Sequence, residues 1–241
     1  MQSALYVALS AQVAMEKRLN TTANNVANMN TGGFRADEIK FEEILSTVGK
    51  TDVAFASSGQ NFISRRTGAV TKTDNPLDVA IQGDAWFSFA TPNSTAYTRD
   101  GRMKITENGD LQTIDGYPVL DAGGAQIALN PNGGPPAIGR DGTITQDQNQ
   151  VGVLGLFFLS KQSTLSRFGS SGVLSSAPGE SVQDFTSTSV QQGFSEGSNV
   201  NPIMEMTKMI ALQRNFDSAS TTIQETEGTL MSAIRTLGPA S

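Results

Sequence analysis

Apolar side chains recur every seven residues along the C-terminal run Asn201–Gly238. The repeat is Met209, Phe216, Ile223, Leu230 and Leu237, with Leu212, Ala219 and Ala233 three residues after their neighbours and Thr226 the exception. Strict sevens favour a narrow seam between helices that supercoil, more than a broad face on a globular core. The boundaries of this helix are written in the sequence. Asn201 suits an N-cap, Pro202 loses nothing at the first helical position, Glu205 complements the positive end of the helix dipole, and Gly238-Pro239 supplies a stop. At about 1.5 Å per residue the helix is roughly 50 Å long, and so narrow a stripe needs a partner. A second seam lies in residues 4–28: Leu5, Ala8, Met15, Leu19, Val26 and Met29, interrupted by Gln12 and Thr22, with neither proline nor glycine before Gly32. It reads either as an ordinary amphipathic surface helix or as the partner of the C-terminal one. The polar interruptions make a seam that is weak in an isolated molecule, because helices without tertiary support are marginal in water.

Between the seams the period changes to two. Leu77, Val79 and Ile81 alternate with polar positions, and Trp86-Phe87-Ser88-Phe89, Tyr97-Thr98-Arg99 and Met103-Lys104-Ile105-Thr106 continue the pattern. Asp100-Gly101, Asn108-Gly109, Asp115-Gly116, Gly123-Gly124 and Asp141-Gly142 punctuate it as candidate two-residue hairpin turns. The spacing predicts short antiparallel strands in a meander or partly closed barrel. Val151–Leu159 is almost wholly apolar and predicts a strand buried on both faces. Residues 36–74 read as a connector with one or two short strands, and Ser189–Phe194 as a returning strand. The expected fold class is therefore α+β, with long N- and C-terminal helices forming a coiled-coil-like pair around a nested middle. Residues 1–34 with 199–241 make the helical domain, 35–74 with 183–198 the connector, and 75–182 the central all-β domain.

Composition removes several classes of function. Charged residues make up 17% of the chain and the net charge is −6, which disfavours a nucleic-acid backbone as partner. There is no cysteine and no histidine, which removes disulfides, thiol chemistry, Ser-His-Asp and Cys-His catalysis and the usual zinc sites. No apolar run approaches the roughly 20 residues that cross a bilayer, and the start of the chain lacks the basic and apolar parts of a cleavable secretion signal. Asp78 with Asp84, or Asp141 with Asp147, could in principle pair as acid and base, but each abuts a turn or strand end where aspartate is commonly structural. Gly49-Lys50-Thr51 resembles the tail of a phosphate-binding loop, yet Ile44 stands where its first glycine is required. No catalytic, cofactor-binding or metal-binding residue is assigned, and no cofactor is expected.

Asparagine is costly near a helix end as mere filler, because its side chain competes for backbone hydrogen bonds. Asn24, Asn25 and Asn28 nevertheless crowd there, and Asn24 and Asn28 share a face. The stretch Ala23-Asn24-Asn25, Ala27-Asn28, Thr31, Gly33-Phe34-Arg35 resembles the N-terminal signature of the bacterial flagellar axial proteins, the rod and hook family. Asn75–Gly83 and Tyr97-Thr98-Arg99-Asp100-Gly101 resemble its central motifs. Glu196–Pro202 with Met209-Ile210 and Gln213-Arg214 resembles its C-terminal one. The resemblance spans essentially the whole chain. Trp86, where most members carry Phe, and Phe34-Arg35-Ala36 lean toward the proximal-rod type; Ser195, where relatives usually have Leu, departs from the pattern.

The resemblance implies a non-enzymatic structural subunit of the proximal rod, which carries torque from motor to hook. It implies terminal helices that form an inner tube and order on assembly, with β domains outside. It also implies export by the flagellar type III apparatus without a cleaved signal, and a place in the periplasmic rod of the basal body. The implied partners are copies of the chain itself and other proximal and distal rod subunits. The residues expected to do the work are packing residues: Leu5, Met15, Leu19 and Val26 in a seam with Met209, Phe216, Ile223 and Leu230. Asn24, Asn25 and Asn28 would tie helices together. Thr31 belongs to the same signature, Gly33 and Phe34 would fix the exit from the helix, and Ser198, Asn199 and Val200 the return. A distal-rod or hook-type subunit, and a secreted β-domain binding protein on a helical stalk, are the alternatives.

Overall fold

The computed structural model describes residues 2–40, 43–48, 51–56 and 59–237, with side chains over 8–40 and 59–237 except 227, 230, 234 and 237. Gly49 and Lys50 of the phosphate-loop-like tripeptide, and the Gly238-Pro239 stop, lie outside the described residues. In chain order the elements are α1 (Gln2–Ala27), β1 (Asp37–Lys40), β2 (Glu43–Val48), β3 (Thr51–Ala56), β4 (Gln60–Ile63), β5 (Val70–Lys72) and β6 (Val79–Gln82). Then come β7 (Trp86–Ala90), β8 (Thr95–Thr98), β9 (Met103–Ile105), β10 (Leu111–Thr113), β11 (Ala137–Ile138), β12 (Thr143–Gln146) and β13 (Asn149–Val153). The chain finishes with β14 (Leu156–Phe158), β15 (Leu165–Phe168), β16 (Gly172–Ser175), β17 (Glu180–Ser181), β18 (Ser189–Gln192), β19 (Phe194–Glu196) and α2 (Pro202–Leu237). Two compact units result: a helical unit of Met1–Ala27, Asp37–Asn61 and Asn201–Ser241, and a β unit of Asn28–Ala36 and Phe62–Val200.

In the helical unit α1 and α2 lie against one another, and the antiparallel β2–β3 hairpin runs beside α1. The start of α2 follows its sequence signals. The Asn201 side chain accepts from the Met204 N–H at 3.1 Å, and its carbonyl accepts the first helical bond from Glu205 at 3.0 Å. The sevens emerge in burial as far as Ile223; Ala233, expected in the same repeat, is exposed, and the Leu230 and Leu237 side chains lie outside the described residues. Met209, Leu212, Phe216, Ala219 and Ile223 are half-buried along α2, while most of their neighbours are exposed. On α1, Ala14, Thr22 and Asn25 are buried and Ala8, Gln12, Met15, Leu19 and Val26 are half-buried.

In the β unit the largest sheet has the order β15-β16-β8-β7-β14-β17, with a three-stranded sheet β11-β12-β13 and the pairs β9-β10, β6-β18 and β5-β19. The main core collects Val79, Ile81, Phe87, Met103, Leu111, Val119, Ile144, Leu154 and Val190 among others, each worth about 1.5–3 kcal/mol on burial. A second cluster gathers Ile63, Trp86, Tyr97, Leu159, Leu165 and Val173.

Four expectations need correction. Against the expected meander or partly closed barrel, crossovers interleave distant strands in the main sheet, and no sheet closes into a barrel among the described residues. Val151–Leu159 is not one strand. It divides at Leu154-Gly155 into β13, an edge strand with exposed side chains, and β14 in the large sheet. Gly155 at that break lets the Asp121 backbone approach closely, since a Cβ there would meet the Asp121 carbonyl oxygen at 2.6 Å. Residues 36–74 hold β1 to β5 rather than one or two strands. Finally, Gly109, Gly116, Gly124 and Gly142 adopt positive φ as turn glycines should, but Gly101 does not. Its role is close approach, because a Cβ would lie 1.7 Å from the Val79 carbonyl oxygen.

Candidate assembly site

Within the helical unit the amide of Asn25 forms a two-point clamp. Its Nδ2 donates to the Asp37 carbonyl at 2.9 Å and its Oδ1 accepts from the Asp37 N–H at 2.8 Å, so the side chain pairs with the start of β1 as a strand would. The same Nδ2 reaches Oε2 of buried Glu205 on α2 at 3.4 Å, and Lys208 Nζ donates to Glu205 Oε1 at 2.6 Å. Of the three asparagines expected to tie helices, Asn25 thus reaches α2. Asn24 is exposed, and Asn28, in the β unit, accepts from its own-turn neighbour Thr31 Oγ1 at 3.2 Å. Met15, Leu19, Val26, Met209, Phe216 and Ile223 are half-buried on the two helices. Leu5 and Leu230 lie in helical backbone with side chains outside the described residues.

The helices also carry apolar side chains outside the seam. Leu9 and Val13 on α1 are about half exposed, and on the first turns of α2 Ile203 is 78% exposed and Ile210 55%, with Met204 and Met206 beside them. Ile203, Met206 and Ile210 stand at i, i+3 and i+7 on one face of α2, and an exposed apolar stripe of this kind marks an interaction site.

In the β unit the segment after α1 is bound to the segment before α2. Gly33 has φ of 65°, and a Cβ there would come within 2.1 Å of the Asp100 backbone nitrogen, so only glycine fits. Its N–H donates to the Glu196 carbonyl at 2.8 Å, and the Asn199 N–H donates to the Phe34 carbonyl at 3.2 Å. Asn199 Oδ1 accepts from the Ala36 N–H at 2.7 Å, while its Nδ2 donates to the Arg66 carbonyl at 2.8 Å. Ser198 Oγ accepts from the Val200 N–H at 3.2 Å, a local turn bond. Phe34 is fully buried against Met29, Ala36 and Val200. The Arg167 guanidinium covers its ring at 4.2 Å from the centroid and donates to the Arg35 carbonyl.

Beside this cluster lies a buried ion network. Arg35 Nη2 donates to Glu196 Oε1 at 2.6 Å and Arg99 Nε to Glu196 Oε2 at 2.8 Å, with all three side chains at most 1% exposed. Gly68 N–H adds a third bond to the carboxylate at 2.8 Å. Arg99 also donates to the carbonyls of Ile81, Gly83 and Ala85, and Arg35 to that of Arg66. Burial pushes the Arg35 guanidinium down to about 10 and Arg99 down as well, against the upward pull of Glu196. Among the described residues Arg35 Nε is the one buried side-chain polar atom without a hydrogen-bond partner; the Arg35 guanidinium lies over Trp86 at 5.6 Å.

Known proteins match all parts of the chain. The family model described as Flagella basal body rod protein matches residues 5–35, Flagellar hook protein FlgE/F/G D1 domain matches 80–146, and Flagellar basal body rod FlgEFG protein C-terminal matches 191–236. A flagellar basal-body rod protein FlgF of Mesorhizobium japonicum is 48% identical over 241 residues, covering 100% of both chains. One of Rhizobium meliloti is 50% identical over 238 residues, 99% of each. The chain belongs to the flagellar basal-body rod protein family. It is more similar to these two FlgF proteins than to a FlgG of Bacillus subtilis, which is 32% identical over 97% of this chain and 98% of its own. The family consists of structural rod proteins, not enzymes.

Sequence reasoning missed the ion network of this rod-family chain, together with Arg167. Arg35, Arg99 and Glu196 each sit inside a different one of the four motifs, as charges in a chain where only 17% of residues are charged. That coincidence was the available signal. Nothing in the local sequence says that the three meet.

Proposed function

We propose that this chain is a structural subunit of the proximal rod of the bacterial flagellar basal body. It polymerises through its terminal helices into the tubular shaft that transmits torque from motor to hook. Full-length identity of 48–50% to FlgF-type rod proteins is the observation that carries the reading. The apolar start of α2 supports the mode of assembly, because Ile203, Met204, Met206 and Ile210 gain burial only against another molecule or another part of a filament. Heterologous contacts that do not close into a ring generate helical filaments. The half-buried sevens of α2 support a coiled-coil-like pairing of α1 with α2 and with neighbouring copies. On this reading residues 1–34 with 199–241 serve as the tube, 35–74 with 183–198 as connector, and 75–182 as the outer β domain. The partners are copies of the chain, the adjoining proximal and distal rod subunits, and the type III export apparatus, which takes the chain without a cleaved signal.

An epitope inserted at the exposed Gly123-Gly124 turn tests this. Basal bodies purified from cells producing the tagged chain are expected to carry immunogold label on the rod, in the periplasmic segment. Basal bodies without label, with the chain recovered intact in the medium, would favour the secreted β-domain protein instead. Label on the distal rod or hook would move the chain to that type.

A further inference from the structure

The four places where the chain passes between units bring residues 28, 36, 62 and 200 of the β unit to its boundary. Within the β unit these ends converge. Met29, Phe34, Ala36 and Val200 form one cluster, the Ser64 N–H donates to the Ala36 carbonyl at 2.8 Å, and Asn199 bonds the Ala36 N–H. Directly behind the cluster stands the Arg35–Glu196–Arg99 network, which ties five separate segments to one another: 35, 66–68, 81–85, 99 and 196.

A network so deeply buried is a poor device for stability alone. Two guanidiniums and a carboxylate lose their hydration, and well-packed apolar side chains of similar volume are commonly as stabilising or more so. What an apolar cluster does not provide is direction. Each guanidinium here aims N–H groups at particular backbone carbonyls, and the carboxylate accepts Arg35 on one oxygen and Arg99 on the other. Apolar surfaces tolerate sliding by a fraction of a side chain; a set of aligned charge-assisted bonds does not. Fixed register is also the best-attested use of buried polar groups.

We infer that the Arg35–Glu196–Arg99 network is a positioning lock that fixes where both terminal segments leave the β unit, and that rod incorporation depends on this fixed exit beyond any stability the network adds. The inference rests on the rod-subunit reading above. The three residues are positioning residues: the assembly contacts themselves lie on the helices.

The test uses the full-length chain, purified and also expressed from its own locus in place of the wild type. Three variants are compared: Glu196→Gln, the apolar triple Arg35→Met with Arg99→Met and Glu196→Leu, and Arg35→Lys. Readouts are the thermal midpoint, the rate of trypsin cleavage after Arg66, and the amount of chain in purified basal bodies. Glu196→Gln is expected to lower the midpoint and to quicken trypsin cleavage after Arg66, an exposed residue whose carbonyl Arg35 holds, since it leaves two buried cations without their counter-charge. The triple is expected to keep a midpoint within a few degrees of wild type, yet enter basal bodies at least about tenfold less. Arg35→Lys, which keeps the charge but loses the fork, is expected to fold and to incorporate several-fold less. Normal incorporation of either the triple or Arg35→Lys overturns the inference, as does a Glu196→Gln chain with unchanged midpoint and protection. Should the triple fail to fold, Arg35→Lys decides alone. Wild-type chain missing from basal bodies would instead sink the rod reading, while the trypsin readout still reports on the lock.

Discussion

Replacing Phe34 by alanine removes a ring with no exposed surface from the small cluster of Met29, Ala36 and Val200 and from beneath the Arg167 guanidinium. An aromatic side chain buries about 150–250 Å², and at about 25 cal/mol per Å² that corresponds to roughly 4–6 kcal/mol. Alanine keeps the Cβ, and the extended-chain reference overstates the area. Loss of the cation–ring contact adds back about 0.5–1 kcal/mol. The net expectation is a loss of about 3–4 kcal/mol, at the lower end of the range for Phe→Ala in cores. For a unit of roughly 150 residues each kcal/mol shifts the midpoint by about 2–4 °C, so the β unit should melt about 10 °C earlier. The assay is calorimetry of the full-length chain beside Ile203→Ala, a substitution at an exposed site expected to stay within about 0.5 kcal/mol of wild type. A Phe34→Ala midpoint within about 3 °C of wild type would refute the claim that this ring anchors the exit segment.

Gly33→Ala should be worse than its size suggests, because positive φ and a Cβ contact of 2.1 Å with the Asp100 backbone both oppose it; failure to lower the midpoint would show that the exit turn can relax. Asn25→Ala removes both bonds to the Asp37 backbone, so exchange of the segment around Asp37, read by mass spectrometry in purified basal bodies, should quicken at least about tenfold, corresponding to about 1.4 kcal/mol. Unchanged exchange would deny the clamp. The double change Ile203→Asp and Ile210→Asp alters exposed positions, so it should leave the thermal midpoint unmoved and sharply reduce the chain in basal bodies; normal incorporation would mean that this face meets no neighbour.

Much of the architecture is written in local sequence. The first part of the α2 heptad reappears as half-buried Met209, Leu212, Phe216, Ala219 and Ile223, and the Asn201 side chain accepts from the Met204 N–H as a cap does. Period and capping are local properties, carried within a few turns of chain. Strand order is not local. β14 sits between β7 and β17, and β16 beside β8, because of pairings across long loops that alternation cannot specify. Gly155 and Gly101 were opaque for a related reason: each is needed by a backbone that arrives from elsewhere, at Asp121 and at Val79. The exit segment was partly legible. Gly33, Phe34, Ser198, Asn199 and Val200 were marked by motif and meet in one place, but their charged support joins residues 161 and 97 positions apart. Asn24 and Asn25, adjacent in sequence, point to opposite fates, one exposed and one buried, as their places on a helix of 3.6 residues per turn require.

The central claim is that the terminal helices gain their stability from neighbouring molecules. Hydrogen exchange read by mass spectrometry, on the dilute full-length chain and on the same chain within purified basal bodies, tests it most directly. The account predicts rapid exchange across α1 and α2 in the dilute chain, a protected β unit in both samples, and strong protection of both helices only in the assembled rod. Helices equally protected in the dilute chain and in the rod would contradict it.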